Sequence, residues 1–312
     1  MRDSERLRTL ACATIQELSG VRMNSIEKPG AGRVPDYKEM VRKDWTGAAP
    51  LWQKWNAKFV VQTHAATELV VRGAEVLPGM KVLDLASGTG EPALSLARAV
   101  GKDGCVIATD LVPEMLEYAS RNAAAQKLDN IEFQFADAED LPFSDGEFDR
   151  VTCRFGVMFF PNIPKAMSEI RRVLKPGGRI CFAVFGSLEE NPLFSTSLQP
   201  FLTRVKMPPP PPDAPNIFRF ADESKLAAAL SLAGFQDVKT NKERVIFGWP
   251  GPAEECWEAT RELAAPFKKL MEAIPSEQAE EVTGEVVQNV RRFQVRDQIQ
   301  LPATVIIAVG GA

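Results

Sequence analysis

Lys81-Val82-Leu83-Asp84-Leu85-Ala86-Ser87-Gly88-Thr89-Gly90-Glu91-Pro92 is the stretch on which the fold turns. The apolar run Val82 to Ala86, interrupted only by Asp84, predicts a strand. Ser87-Gly88-Thr89-Gly90 then predicts a tight turn, and 91–100 reads as a helix. Glycines in such a turn let a ligand approach the backbone, and the free N–H groups at the helix start form a local electropositive surface. For a Gly-x-Gly on its own, an ordinary strand-to-helix turn is the plain alternative.

Working outward, Asp84 stands in an apolar strand, where an unpaired carboxylate is costly, so it needs an amine or N–H partner. A second apolar run, Cys105 to Thr109, ends in Asp110, twenty residues past Gly90, where a neighbouring parallel strand offers an acid to a ribose diol. A third strand, 131–136, ends in Asp137-Ala138. The chain alternates strand and helix over 81–86, 91–100, 104–110, 113–126, 131–136, 148–155, 164–174 and 179–185. Pro113 and Pro164 suit first helical positions, and Lys175-Pro176-Gly177-Gly178 is a stop signal. This rhythm predicts an α/β fold with a doubly wound, mostly parallel sheet and a ligand at the carboxyl ends of its strands, where all three acids fall.

These residues resemble the class I S-adenosylmethionine-dependent methyltransferases, most closely the ubiquinone/menaquinone-biosynthesis group. The resemblance is carried, in order, by 82–90, by Asp110-Leu111-Val112-Pro113-Glu114-Met115-Leu116, and by Asp137-Ala138-Glu139-Asp140-Leu141-Pro142-Phe143 with Phe148-Asp149. Arg154-Phe155-Gly156 and Val173-Leu174-Lys175-Pro176-Gly177-Gly178 complete the set, which spans roughly 77–185. It implies a seven-stranded Rossmann-like sheet and S-adenosylmethionine as cofactor. Asp84 would anchor the amino-acid end, and Ala86, Gly88, Thr89 and Gly90 would line the methionyl and ribose region. Asp110 would accept the ribose hydroxyls, Leu111 and Met115 would flank the adenine, Asp137 would take its exocyclic amine, and Ala138 would donate a backbone N–H to the ring. Arg154 stands where relatives often carry Ser or Asn and could pair with the methionine carboxylate. Ala86 replaces the first glycine of the usual Gly-x-Gly-x-Gly.

The 312 residues suffice for a large core, and 45% hydrophobic with 25% charged residues is ordinary for a soluble globular protein. A formal net charge of −4 gives no electrostatic argument for nucleic acid or an anionic membrane. Five cysteines, Cys12, Cys105, Cys153, Cys181 and Cys256, are odd in number and without a close pair. They indicate neither a disulfide framework nor a zinc site and suit a reducing cytoplasm. Cys153 and Cys181 lie inside apolar strands and read as buried and inert. No signal peptide or membrane span is read.

Residues 1–43 are expected to form an extension and 44–312 the methyltransferase domain, with its core at 77–186 and substrate elements at 187–220 and 250–300. Trp45, Trp52 and Trp55 precede an expected helix over 57–76, where in the resembled family the N-terminal helices fold over cofactor and substrate as a lid. After 185, helices are expected at 193–206, from Asp222 to Gly234, at 253–273 and at 276–293. Strands are expected at 238–249 and 304–309, and 208–212 reads as a stiff polyproline spacer. The helices between the last two strands would serve as a substrate cap or as the interface of a homodimer. If a cap, they could be deleted at the expense of substrate affinity alone.

The acceptor side carries less signal. Val157-Met158-Phe159-Phe160-Pro161 replaces the Arg-Asn-containing segment associated with the quinone enzymes. Met158 and Phe159, with Trp52 and Trp249, would wall an apolar pocket, core packing being the alternative. His64, the only histidine, and Tyr37 are the candidate catalytic groups, although His64 on a helix face with Val60 and Val71 reads more readily as structural. The expected activity is methyl transfer to carbon or oxygen of a small hydrophobic or aromatic acceptor. A protein or peptide methyltransferase is the alternative, and a nicotinamide oxidoreductase the remote one, since Gly88 to Ala93 also satisfies Gly-x-Gly-x-x-Ala.

Overall fold

The computed structural model describes residues 36–205 and 214–312. Residues 1–35 of the extension expected over 1–43 and the polyproline spacer lie outside them, as does Cys12.

The first element, α1 (Tyr37–Gly73), is one helix of 37 residues, about 55 Å long at 1.5 Å per residue. It absorbs residues 37–43 of the expected extension, together with the tryptophans placed ahead of a later helix. Asp36 caps it by accepting from the Lys38 and Glu39 N–H groups, and Pro50 is carried inside it. The loss of one ladder N–H at Pro50 is tolerated because both sides of the helix are held by tertiary partners.

Strand and helix then alternate as expected: β1 (Lys81–Leu85), α2 (Ala93–Val100), β2 (Cys105–Asp110), α3 (Pro113–Ala125), β3 (Ile131–Phe135), β4 (Phe148–Arg154), α4 (Ile163–Val173) and β5 (Leu174–Phe185). Pro113 opens α3 and Pro164 lies in the first turn of α4. Lys175-Pro176-Gly177-Gly178 does not separate α4 from β5 as expected. Phe148 already pairs with Leu174 and Arg150 with Arg179, so the segment is a bulge inside the strand, turned by Gly177 at φ 77°.

The remaining elements are α5 (Pro192–Leu202), α6 (Glu223–Leu232), β6 (Gln236–Trp249), α7 (Ala253–Leu263), α8 (Ala265–Ala273), α9 (Ala279–Arg291), β7 (Gln294–Val295) and β8 (Gln298–Gly311). The expected helix over 253–273 is therefore two, broken at Ala264. The sheet has the order β3-β2-β1-β4-β5-β8-β6, parallel from β3 to β5 and antiparallel where β8 runs between β5 and β6. The two-residue β7 against β8 makes an eighth strand. Ile180, Phe182 and Val184 on one face of β5 and Cys181 and Ala183 on the other are all buried, as both faces of a central strand must be.

The helices between β6 and β8 are part of the body of the protein. Trp257 of α7 is 1% exposed and meets Phe201 and Phe267, and with Cys256, Leu270, Val286 and Trp249 it joins the main core. Lys54 pairs with Glu258 and Glu262, Lys58 with Glu255, and Trp55 Nε1 donates to Glu262 at 2.6 Å, so α7 is stitched to α1. Cys153, Cys181 and Cys256 are buried, and burial pushes the Cys181 and Cys256 thiols up to about 12. No helix among the described residues is long and apolar enough to cross a membrane.

Candidate active site

The carboxyl ends of β1, β2, β3 and β4 meet beneath α1. Asp84 sits in β1 between Ala108 of β2 and Thr152 of β4, and it is wholly buried. Its Oδ1 accepts from Thr152 Oγ1 at 2.6 Å, while Oδ2 has no partner among the described residues. Burial pushes this carboxyl up to about 7, against the pull of Thr152 and the attraction of Arg154. Arg154, the last residue of β4, is held from three sides. Nη1 donates to Thr63 Oγ1 at 2.7 Å and Thr67 Oγ1 at 2.8 Å, and Nη2 donates to the Glu91 carbonyl at 3.0 Å. Its Nε–H is enclosed and unmet, and burial lowers the pKa of the guanidinium. Two attracting charges therefore each keep one unused hydrogen-bonding position, an acceptor on Asp84 and a donor on Arg154. That is the complement of an ammonium and a carboxylate on one carbon.

The turn after β1 leaves room beside them. Ala86, Gly88 and Gly90 have φ of 52°, 55° and 125°. Ala86 holds a conformation that costs a non-glycine residue about 1–2 kcal/mol, which is why a glycine is the usual occupant. A side chain on Gly156 would come within 2.5 Å of the Ala86 Cβ, so Gly156 makes space for the substitution. A Cβ on Gly88 would meet nothing within 4 Å, so the backbone there borders open space. The Gly88 N–H donates to Asp110 Oδ2 at 2.9 Å and the Val112 N–H to Oδ1 at 3.0 Å, which fixes the carboxylate at the end of β2 with a lone pair to spare on each oxygen. Burial raises Asp110 to about 6. Thr89 Oγ1 donates to Asn56 Oδ1 at 2.7 Å, and Asn122 Nδ2 donates to the Thr89 carbonyl at 2.8 Å.

Past β3, Asp137 Oδ1 accepts from the Glu139 N–H at 2.9 Å, and Oδ2 lies 2.6 Å from Lys38 Nζ, which also reaches Glu139. Met115 is 2% exposed behind Val112, and Trp45 and Trp52 pack against both. The orphaned polar atoms, the open backbone at Gly88 and the carboxylate fixed at the end of β2 fit an adenosyl amino acid. Asp84, Ala86, Gly88, Thr89, Gly90, Asp110, Leu111, Met115 and Arg154 all belong to this cluster or its walls, with Asp137 and Ala138 at its far end.

The acceptor candidates divide. Trp52 and Phe159 face the site from α1 and from the turn after β4, where Trp45 stacks edge-on against Phe159 at 5.3 Å. Met158 is fully buried in the core. Trp249 is 1% exposed, donating to Glu255 at 3.0 Å under Trp55, so neither has the open face of a pocket wall. Trp55, three residues from Trp52, points to α7 instead. The side chain of His64 is 64% exposed beside Glu68 Oε1 at 3.3 Å. Thr63 and Thr67, on one helix face, turn inward to Arg154, and this swings His64 by about 100° toward solvent. Tyr37, the first residue of α1, is half-buried. Lys38, Asn56, Thr63, Thr67 and Thr152 escaped the sequence reading. Only the regular recurrence of polar residues at 56, 63 and 67 on one face of a long amphipathic helix could have flagged them.

Residues 46–209 match the model of the ubiE/COQ5 methyltransferase family. The chain belongs to this family. A demethylmenaquinone methyltransferase of Staphylococcus carnosus is 32% identical over 214 residues, 65% of this chain and 87% of that one. Another from Symbiobacterium thermophilum is 43% identical over 136 residues, but that match spans only 43% of this chain and half of the relative. Among solved structures, the YcgJ protein of a Bacillus shares the fold, with TM-score 0.52, 22% identity and coverage of 80% and 98% of the two chains. A phosphoethanolamine N-methyltransferase of Haemonchus contortus, solved with S-adenosylmethionine, superposes with TM-score 0.53 at 16% identity over 89% of this chain and 60% of its own. Membership of the ubiE/COQ5 methyltransferase family makes this an S-adenosylmethionine-dependent methyltransferase by descent, and the donor and acceptor left open at Arg154 and Asp84 suit that cofactor.

Proposed function

We propose that the chain moves the methyl group of S-adenosylmethionine onto a small hydrophobic acceptor of the quinol or phenol kind, at a ring carbon or at oxygen. The observation that carries the reading is the juxtaposed unmet acceptor of Asp84 and unmet donor of Arg154. Asp84 accepts from the ammonium of the cofactor and Arg154 Nε–H donates to its carboxylate. Asp110 accepts the ribose hydroxyls, Leu111 and Met115 flank the adenine, and Asp137 with Ala138 meets its edge, while Ala86, Gly88, Thr89 and Gly90 line the middle.

S-adenosylmethionine, when bound, supplies a methyl group already activated on a sulfonium. The chain's share is alignment in a dry site, a contribution that can reach about 7–11 kcal/mol. Trp45, Trp52 and Phe59 of α1 exclude water. Phe159 and the stacked pair Phe155 and Phe185, 4.2 Å apart, offer flat apolar surface at the ends of β4 and β5. With the only imidazole in solvent, the acceptor's own hydroxyl supplies the electron density, which favours a quinol or phenol. The relatives named demethylmenaquinone methyltransferases support a quinol ring carbon as the methylated atom.

Titration with S-adenosylmethionine, S-adenosylhomocysteine, NADH and NADPH tests the cofactor, binding of the first two alone being expected. Transfer of labelled methyl groups to demethylated quinols and simple phenols, with the product position read by mass spectrometry, tests the acceptor. Labelling of added peptides instead would sink the proposal. The negative net charge supports a small-molecule acceptor over nucleic acid, and the four free cysteines among the described residues accord with a cytoplasmic setting. Sedimentation velocity decides between a monomer and a homodimer.

A further inference from the structure

Trp52 carries a buried indole N–H with no partner among the described residues, at a place where the surrounding residues name its ligand. Trp45, Trp52 and Phe59 recur at seven-residue spacing on α1 and form a row, with ring centroids 5.5 Å apart for the first pair and 4.6 Å for the second. Trp45 turns its ring to Phe159, on the acceptor side. Phe59 lies 5.9 Å from the Arg154 guanidinium. Trp52, between them, packs against Ala49 of α1 and against Val112 and Met115, which follow the Asp110 strand end, and one turn further on Asn56 holds Thr89. It thus stands above the stretch from the Asp110 strand end to the glycine turn, between the two ends of the cofactor. An indole has one donor and no acceptor, and enclosing it unmet is costly. A hydrophobic seal alone would be better served by phenylalanine, which α1 uses at the next position of the same row.

We propose that Trp52 is a cofactor contact, its indole N–H donating to the adenosyl portion of S-adenosylmethionine, rather than a wall of the acceptor pocket. The inference rests on the cofactor reading above. It gives α1 a direct part in holding the nucleoside, in addition to excluding water.

The test is calorimetric titration of wild type and Trp52→Phe with S-adenosylhomocysteine and with 5′-methylthioadenosine, which keeps the nucleoside and lacks the amino-acid end. Both ligands are expected to bind Trp52→Phe about three- to tenfold more weakly than wild type, the loss expected for one neutral hydrogen bond. Trp257→Phe, in the core against Phe201 and Phe267, should leave both affinities unchanged. Equal affinity of wild type and Trp52→Phe overturns the proposal, and so does a deficit confined to S-adenosylhomocysteine, which would aim the N–H at the amino-acid end. Failure of wild type to bind either ligand would instead remove the cofactor reading itself. A second readout needs no stable variant at position 52. Wild type has five tryptophans, and the four single substitutions at 45, 55, 249 and 257 assign their indole N–H signals, leaving that of Trp52. On saturation with 5′-methylthioadenosine that signal should move downfield and exchange more slowly with water. An unmoved signal overturns the proposal even if Trp52→Phe does not fold.

Discussion

Lys38 Nζ lies 2.6 Å from Asp137 Oδ2 across 99 residues of sequence, so the first turn of α1 is tied to the end of β3 by a charge pair on the carboxylate assigned to the adenine amine. Glu139 accepts from the same ammonium, and Lys38 itself is about one third exposed. A pair so placed is worth under about 1 kcal/mol to global stability. Lys38→Met is therefore expected to leave the melting temperature nearly unchanged while amide exchange over the first turns of α1 speeds up several-fold. Unaltered exchange there would mean that the helix start is held by its packing alone.

Asp84 gives a pH dependence of definite sign. Its folded pKa of about 7 lies above the unfolded value of about 3.9, so the native protein holds an extra proton between these limits. Stability in the absence of ligand should fall as pH rises from about 4 to 7, by on the order of a few kcal/mol, and Asp110 at about 6 adds to the same trend. Ligand binding runs the other way. An ammonium must meet an ionised Asp84, so affinity for S-adenosylhomocysteine should weaken below pH 7 by up to about tenfold per unit. Calorimetry in buffers of different ionisation enthalpy should register proton release at pH 6, and Asp84→Asn should reduce it to the share contributed by Asp110.

Gly88→Ala separates folding from binding. The position has φ 55° with nothing within 4 Å of a new methyl group, so the cost to the fold is the backbone term alone, about 1–2 kcal/mol. The methyl would project into the space assigned to the cofactor. The variant should be folded by circular dichroism and have no measurable affinity for S-adenosylhomocysteine. Wild-type affinity would place the ligand elsewhere.

Trp257→Ala tests whether the helices between β6 and β8 are an appendage. Trp257 is 1% exposed among Phe201 and Phe267 of the main core, so truncation should cost about 3–5 kcal/mol, read from the urea midpoint. A loss below about 1 kcal/mol would restore the picture of a removable cap, in which deletion affects substrate affinity alone.

The β1 turn, Asp110 and Asp137 were legible because each rests on a short-range pattern, an apolar run broken by glycine or acid at the strand end. The same locality explains what was misread. Residues 37–56 look like a broken approach to a helix because Pro50 and three tryptophans interrupt the propensity pattern. They are helical because the Asp36 cap and the pairs from Lys54, Trp55 and Lys58 to α7 act from outside the window. Lys175-Pro176-Gly177-Gly178 has the composition of a stop, yet Phe148, 26 residues earlier, recruits Leu174 into the sheet. Trp52 and Trp55 are alike in sequence and opposite in fate, one over the cofactor side and one against α7. Met158 and Phe159 likewise separate into core and site at adjacent positions.

One rod, α1, is fastened on one side to the glycine turn through Asn56 and to Arg154 through Thr63 and Thr67. On the other side it is fastened to α7 through Lys54, Trp55 and Lys58. Its only covalent exit toward the sheet is the short link Ala74–Met80, where Glu75 and Gly79 take φ of 51° and 81°. Ala49, Trp55, Ala66 and Val70 of the same helix are buried, so the rod is also part of the core. A change of packing at α7 is therefore felt at the Arg154 guanidinium through one continuous helix, without any residue around Asp84 being touched.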